Sequence, residues 1–65
     1  MKRVDELKPG DVIRFPYGSH TNIVRVVVIN TEPYTTWTRL TLQEYGGTSR
    51  FSTWLNTDAL VEVVG

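Results

Sequence analysis

The stretch Thr36-Trp37-Thr38-Arg39-Leu40-Thr41-Leu42-Gln43-Glu44-Tyr45-Gly46-Gly47-Thr48-Ser49-Arg50-Phe51-Ser52-Thr53-Trp54-Leu55 reads as two β-strands joined at a pair of glycines. On the first arm Leu40 and Leu42 lie on one side and Trp37, Arg39, Thr41 and Gln43 on the other, the period-two alternation of a half-buried strand. On the second arm Phe51, Thr53 and Leu55 lie on one side and Arg50, Ser52 and Trp54 on the other. Gly46-Gly47 suits the positive φ angles of a two-residue hairpin turn. With that turn, the leucines meet apolar partners in a register that sets Leu42 against Phe51 and Leu40 against Thr53. The same register predicts Gln43 opposite Arg50, Thr41 opposite Ser52, Arg39 opposite Trp54, and Trp37 near Asn56. An Arg39 guanidinium over the Trp54 indole would contribute about 0.5–1 kcal/mol at an exposed site.

Upstream, Pro9 and Gly10 in Leu7-Lys8-Pro9-Gly10-Asp11 fit the second and third positions of a type II turn, because proline presets φ and glycine tolerates a positive one. A first strand then runs from Asp11, with Ile13 and Phe15 on one face and Val12 and Arg14 on the other. Pro16 to Asn22 reads as a loop. Ile23-Val24-Arg25-Val26-Val27-Val28-Ile29 is β-branched except at Arg25 and predicts a long second strand, apolar on both faces. Asn30 to Thr35, with Pro33 inside, is expected to end it. After the hairpin, Asn56-Thr57-Asp58 suits a short turn, and Leu60-Val61-Glu62-Val63-Val64 a closing strand.

The 65 residues are enough for one domain, residues 1–65, near the lower limit at which a single core holds a fold unaided. The chain has no cysteine, so it has no disulfide framework, thiolate metal site or cysteine nucleophile. Seven Lys and Arg balance seven Asp and Glu, and a neutral chain has no long-range field to draw in nucleic acid or an anionic membrane. No apolar run approaches the roughly 20 residues of a membrane helix. Met1-Lys2-Arg3-Val4-Asp5-Glu6 lacks the apolar stretch of a signal peptide, and a cytoplasmic protein is expected.

Five strands, a long second strand and a short turn before the last one resemble the SH3-like barrel, a resemblance of layout that covers nearly the whole chain. Leu7-Lys8-Pro9-Gly10-Asp11-Val12-Ile13 looks like the opening of many such barrels, including the KOW type of ribosomal and transcription proteins. That opening, with the closing Asp58-Ala59-Leu60-Val61-Glu62-Val63-Val64, is also similar to uncharacterised small proteins of actinobacteria and their phages. The resemblance implies an all-β, five-stranded SH3-like barrel and a phage or bacterial accessory protein, and names no activity. The counterpart of the loop holding Tyr17 often lines a groove in SH3-like barrels, so the resemblance offers Tyr17 as a groove residue, with capping of the core as the equal alternative. Where KOW domains carry glycines and basic residues after the first strand, this chain has Tyr17-Gly18-Ser19-His20-Thr21-Asn22, a departure that counts against nucleic-acid binding through that loop.

Catalysis has little to build on. His20 has no assignable serine or carboxylate partner, the scattered carboxylates lack metal-loop spacing, and Gly46-Gly47 lacks the helix and lysine of a phosphate cradle. No enzyme, metal or cofactor is expected. Trp and Arg are the types enriched among interface anchors, which makes Trp37, Arg39, Arg50 and Trp54, with Tyr17, the candidate partner-binding residues. The first reading is a binding module for a protein partner or for itself. The second is weak single-stranded nucleic-acid binding, in which aromatics stack on bases and arginines contact phosphates. A structural reading has Trp37 or Trp54 covering an open barrel end or packing under the Asn30 to Thr35 loop, and in a third hypothesis the tryptophans are buried and the protein is a homo-oligomer.

Overall fold

The computed structural model describes residues 1–16 and 23–64. It is all-β, with antiparallel pairing throughout. Six strands follow in order, β1 (Lys2–Arg3), β2 (Val12–Pro16), β3 (Ile23–Pro33), β4 (Trp37–Glu44), β5 (Arg50–Asn56) and β6 (Leu60–Val61), and a 3₁₀ turn at Val4–Glu6 follows β1. Strands β2-β3-β4-β5 form a four-stranded meander, and β1 and β6 form a separate two-stranded sheet. Among the described residues the sheets do not close into a barrel, and β5 is an edge.

The β4–β5 register is the one read from the alternation. Leu42 faces Phe51, Leu40 faces Thr53, Thr41 faces Ser52, Arg39 faces Trp54, Gln43 faces Arg50 and Trp37 faces Asn56. The turn is built differently from a two-residue Gly46-Gly47 loop. The Gly47 N–H donates to the Glu44 C=O at 3.0 Å across Tyr45-Gly46, and the Glu44 N–H donates to the Ser49 C=O at 3.0 Å. Only Gly46 of the pair has a positive φ, 80°. A four-residue loop over 45–48 has the same midpoint as a two-residue loop over 46–47, so the register is unchanged.

The long strand β3 departs from expectation in its length. It does not stop at Ile29 but continues to Pro33, through a bulge between Val28 and Asn30. Before the bulge Val26 and Val28 face the core and are fully buried. An unbroken ladder would next turn Asn30 and Glu32 inward. The extra residue, Ile29, reverses the facing, so that Asn30 lies opposite outward Thr41 and Glu32 opposite outward Arg39. The polar residues that suggested a loop are thus the solvent side of a continuing strand. The reversal into β4 is confined to Tyr34–Thr36, where the Tyr34 N–H donates to the Trp37 C=O at 2.8 Å.

At the Pro9-Gly10 turn, Gly10 has φ 99° and the Asp11 N–H donates to the Lys8 C=O at 3.1 Å, as the type II reading requires. The N-terminal segment has a role its composition does not advertise. Val4 is fully buried, and backbone bonds from Val4 N–H to Ala59 C=O (2.8 Å) and Asp5 N–H to Thr57 C=O (3.1 Å) tie it to the end of the chain. The closing segment is shorter as a strand than expected. Beyond β6 it crosses to β2 through the Ile13–Val63 bridge, the Arg14 N–H to Glu62 C=O bond (3.0 Å) and the Val64 N–H to Val12 C=O bond (2.7 Å).

Val4, Leu7, Ile13, Val26, Val28, Leu40 and Leu42 form one buried cluster, flanked by Phe15, Val24, Phe51, Leu55, Ala59, Val61 and Val63. Phe15 of β2 and Phe51 of β5 meet across the inside of the curled sheet with ring centroids 6.0 Å apart. Thr38 is also buried, and its hydroxyl is satisfied by the Thr57 hydroxyl at 3.0 Å.

Candidate interaction face

The outward positions of β4 and β5 carry four of the residues singled out in the sequence. Trp37 and Trp54 are about half exposed, at 48% and 52%, and Arg39 and Arg50 are exposed beside them. The fifth, Tyr17, lies outside the described residues, as does His20. Half-exposed indoles on a hydrogen-bonded sheet are held in place while keeping surface free, which a tryptophan sealing a core would not.

Register sets Glu32, Arg39 and Trp54 in one row across β3, β4 and β5. The ring that packs on Trp54 is nevertheless that of Tyr34, with centroids 5.4 Å apart and planes at 44°. Among the described residues the guanidinium seated over a ring is Arg25 over Tyr45, at 4.8 Å, rather than Arg39 over Trp54. The cause is the extension of β3. By running past the bulge to Pro33, it delivers Tyr34 to the outer face, where the hydroxyl donates to Glu32 Oε2 at 3.5 Å. At the other end of the row pattern, Arg50 Nε donates to Gln43 Oε1 at 2.8 Å, and Gln43 Nε2 donates to the Gly47 C=O at 2.8 Å. Arg50 is thereby tethered to the hairpin loop.

The same face continues over β3 and β2. Arg14 and Arg25 lie opposite one another with their neighbours Ile13 and Val26 buried, so both arginines point outward with Arg39 and Arg50. Arg14 Nε pairs with Glu62 Oε2 at 2.7 Å, an exposed ion pair of small energetic value. Arg14, Ile23, Val24, Arg25, Glu44 and Tyr45 line a shallow open depression. Tyr34, Arg14, Arg25 and Tyr45 were not among the residues selected from sequence. Arg14 was legible as outward, whereas Arg25 was hidden in an apolar run that gave no facing of its own.

These placements expose an asymmetry that net charge conceals. Of seven cations and seven acids, four arginines and three acids, Glu32, Glu62 and, in the depression, Glu44, stand on this face. Three cations and four acids are left for the rest of the molecule. The face combines a surplus of positive charge with Tyr34, Trp37, Tyr45 and Trp54.

Among the described residues no group of three or more His, Asp or Glu is placed to hold a metal ion, and no helix is long and apolar enough to cross a membrane. Compared with known proteins, the chain matches no family model, no curated protein and no solved structure.

Proposed function

We propose that this protein is a non-enzymatic interaction module that binds a protein partner, or itself, through the outer face bearing Trp37, Arg39, Arg50 and Trp54. The observation that carries the reading is the pair of half-exposed tryptophans on a hydrogen-bonded sheet, extended by Tyr34 and bordered by arginines. Large aromatics left half in water on a regular strand are the anchors an interface buries. The surplus of arginine favours a partner surface rich in acidic groups. We read the architecture as an open form of the SH3-like barrel, because the meander β2-β3-β4-β5 is joined by a C-terminal segment returning to β2, and Phe15 and Phe51 meet inside. A cytoplasmic accessory protein of a bacterium or phage fits that layout. The test is affinity purification of the partner, followed by direct binding measurements with Trp37→Ala and Trp54→Ala. Unchanged affinity in both folded variants would remove the face from the reading.

A second reading, a weak single-stranded nucleic-acid binder using the same face, is favoured by one observation. Arg14 and Arg25 join Arg39 and Arg50 beside four aromatic rings, doubling the cations that the hairpin alone provides. Titrating an oligonucleotide at low and moderate salt while following tryptophan fluorescence separates the two readings. Absence of quenching at low salt rejects the second.

A further inference from the structure

We infer that the free edge of β5 is the pairing strand of a homodimer, formed about a two-fold axis through Ser52. The inference rests on the proposed reading only in that self-association is one of its forms; the backbone contact lies at the edge of the face, and its side-chain pairs take in Arg50 and Trp54 but not Trp37 or Arg39.

The two edges of the four-stranded sheet are treated differently. The outer edge of β2 is covered by the C-terminal segment through the Ile13–Val63 bridge and its flanking bonds. Among the described residues no strand lies beside the outer edge of β5. Its polar groups can be assigned from the ladder. The Glu44–Ser49 and Thr57–Thr36 bonds mark the hydrogen-bonded pairs of the β4–β5 ladder. Phe51, Thr53 and Leu55 therefore turn their backbone groups to β4, and Arg50, Ser52 and Trp54 turn theirs outward. Among the described residues these outward groups have no partner.

Proteins usually blunt such an edge with charged side chains, proline, a bulge or an inward-pointing charge. Strand β5, Arg50-Phe51-Ser52-Thr53-Trp54-Leu55-Asn56, has one charge, Arg50 at its end, and no proline, bulge or inward-pointing charge, and its ladder is unbroken over seven residues. A second copy satisfies it in one register. With Ser52 opposite its own counterpart, Arg50 lies opposite the other copy's Trp54, and Trp54 opposite the other copy's Arg50. The three pairs exchange about six backbone hydrogen bonds. Both Arg–Trp pairs fall on the outer face, where a guanidinium over an indole is favourable. Sliding by two residues one way moves Trp54 against Thr48, beyond the end of β5. Sliding the other way moves Arg50 against Asn56, whose C=O already accepts the Ala59 N–H at 3.0 Å. The edge is thus self-complementary about Ser52, and pairing would give a small, cysteine-free chain a larger core-backed sheet.

The test uses the whole chain. Light scattering after size exclusion, over about a hundredfold range of concentration, is expected to give a species of twice 7.4 kDa at the upper end. Ser52→Pro removes an N–H that β4 does not use, so it is expected to return the mass to that of the monomer while circular dichroism stays that of a folded β protein. In a second, independent measurement, Ser52→Cys is the lone thiol of the chain, and paired residues at the axis lie within disulfide reach. Its oxidation to a covalent dimer is expected to run at least tenfold faster than that of Ser49→Cys, placed where the hairpin loop closes. A monomer at every concentration, a dimer that survives in folded Ser52→Pro, or equal cross-linking of the two cysteine variants overturns the inference. Each leaves the Trp37 and Trp54 binding test standing, and because Trp54 also borders the edge, loss of partner binding in Trp37→Ala is the result that speaks for the face alone. Should Ser52→Pro fail to fold, the cysteine rates decide alone.

Discussion

Tyr34 lies against Trp54 on the outer face, ring centroids 5.4 Å apart, at the place where register alone would set Arg39. The contact joins the short β3–β4 reversal to the edge strand, and its backbone is fixed on both sides: the Tyr34 N–H binds the Trp37 C=O at 2.8 Å, and its C=O accepts the Thr57 hydroxyl at 3.4 Å. An aromatic pair held this way acts as a unit.

Tyr34→Ala is expected to lower stability by more than the loss of an exposed tyrosine would, because tilted aromatic pairs contribute about 0.5–1.5 kcal/mol beyond buried area. A double-mutant cycle with Trp54→Ala in urea should return a coupling of at least about 0.5 kcal/mol. Strict additivity would mean that the two rings touch without supporting each other.

The two glycines of the β4–β5 connection should respond unequally. Gly46 has φ 80°, a conformation that costs an L-residue roughly 1–2 kcal/mol, so Gly46→Ala should lose about that much. At Gly47 φ is not positive, and an added Cβ would come 3.2 Å from Glu44 Cδ, the end of a side chain that can move. Gly47→Ala should therefore cost well under half as much as Gly46→Ala. Equal losses in chemical denaturation would instead indicate a turn centred on both glycines.

The bulge makes a sharper prediction. Deleting Ile29 converts β3 to a regular ladder in which Asn30 and Glu32 keep their outward facing, so the shortened protein should still unfold cooperatively. Deleting Thr41, in the same row of β4, turns Leu40 or Leu42 out of the core, and that protein should show no cooperative transition. If the two deletions are equally destructive, Ile29 is not an extra residue in the ladder.

These cases also mark how far the chain could be read by itself. The hairpin was legible because leucines and polar residues alternate on both arms, and a slip of one residue would expose Leu40 and Leu42; burial enforces what the pattern implies. The extension of β3 was not, since Asn30, Glu32 and Pro33 carry loop chemistry and only the facing reversal at Ile29 reconciles them with a strand. Burial of Val4 escaped for a different reason. Its backbone partner, Ala59, and Thr57, the partner of neighbouring Asp5, come from the far end of the chain, and no local period records a contact of that range. The candidate face inherited both kinds of result. Trp37, Arg39, Arg50 and Trp54 followed from alternation, whereas Tyr34, Arg25 and Tyr45 joined them only through the bulge and the β2–β3–β4 register.

The division of the face into aromatic anchors and arginines gives the last prediction. In an interface with a protein, Trp37→Ala and Trp54→Ala should each weaken binding by about 2 kcal/mol or more, roughly thirtyfold in Kd, because truncating a desolvated anchor leaves an unfilled pocket. Arg14→Ala and Arg25→Ala, further from the indoles, should mainly slow association and flatten its salt dependence. With single-stranded nucleic acid the pattern differs. Each phosphate-contacting arginine removed should lower the magnitude of the log K against log salt slope by about one, whatever the oligonucleotide sequence. Measuring the four variants at two salt concentrations against each ligand therefore assigns the face. A protein complex indifferent to both tryptophans, together with an oligonucleotide affinity indifferent to all four arginines, would show that neither class of ligand uses it.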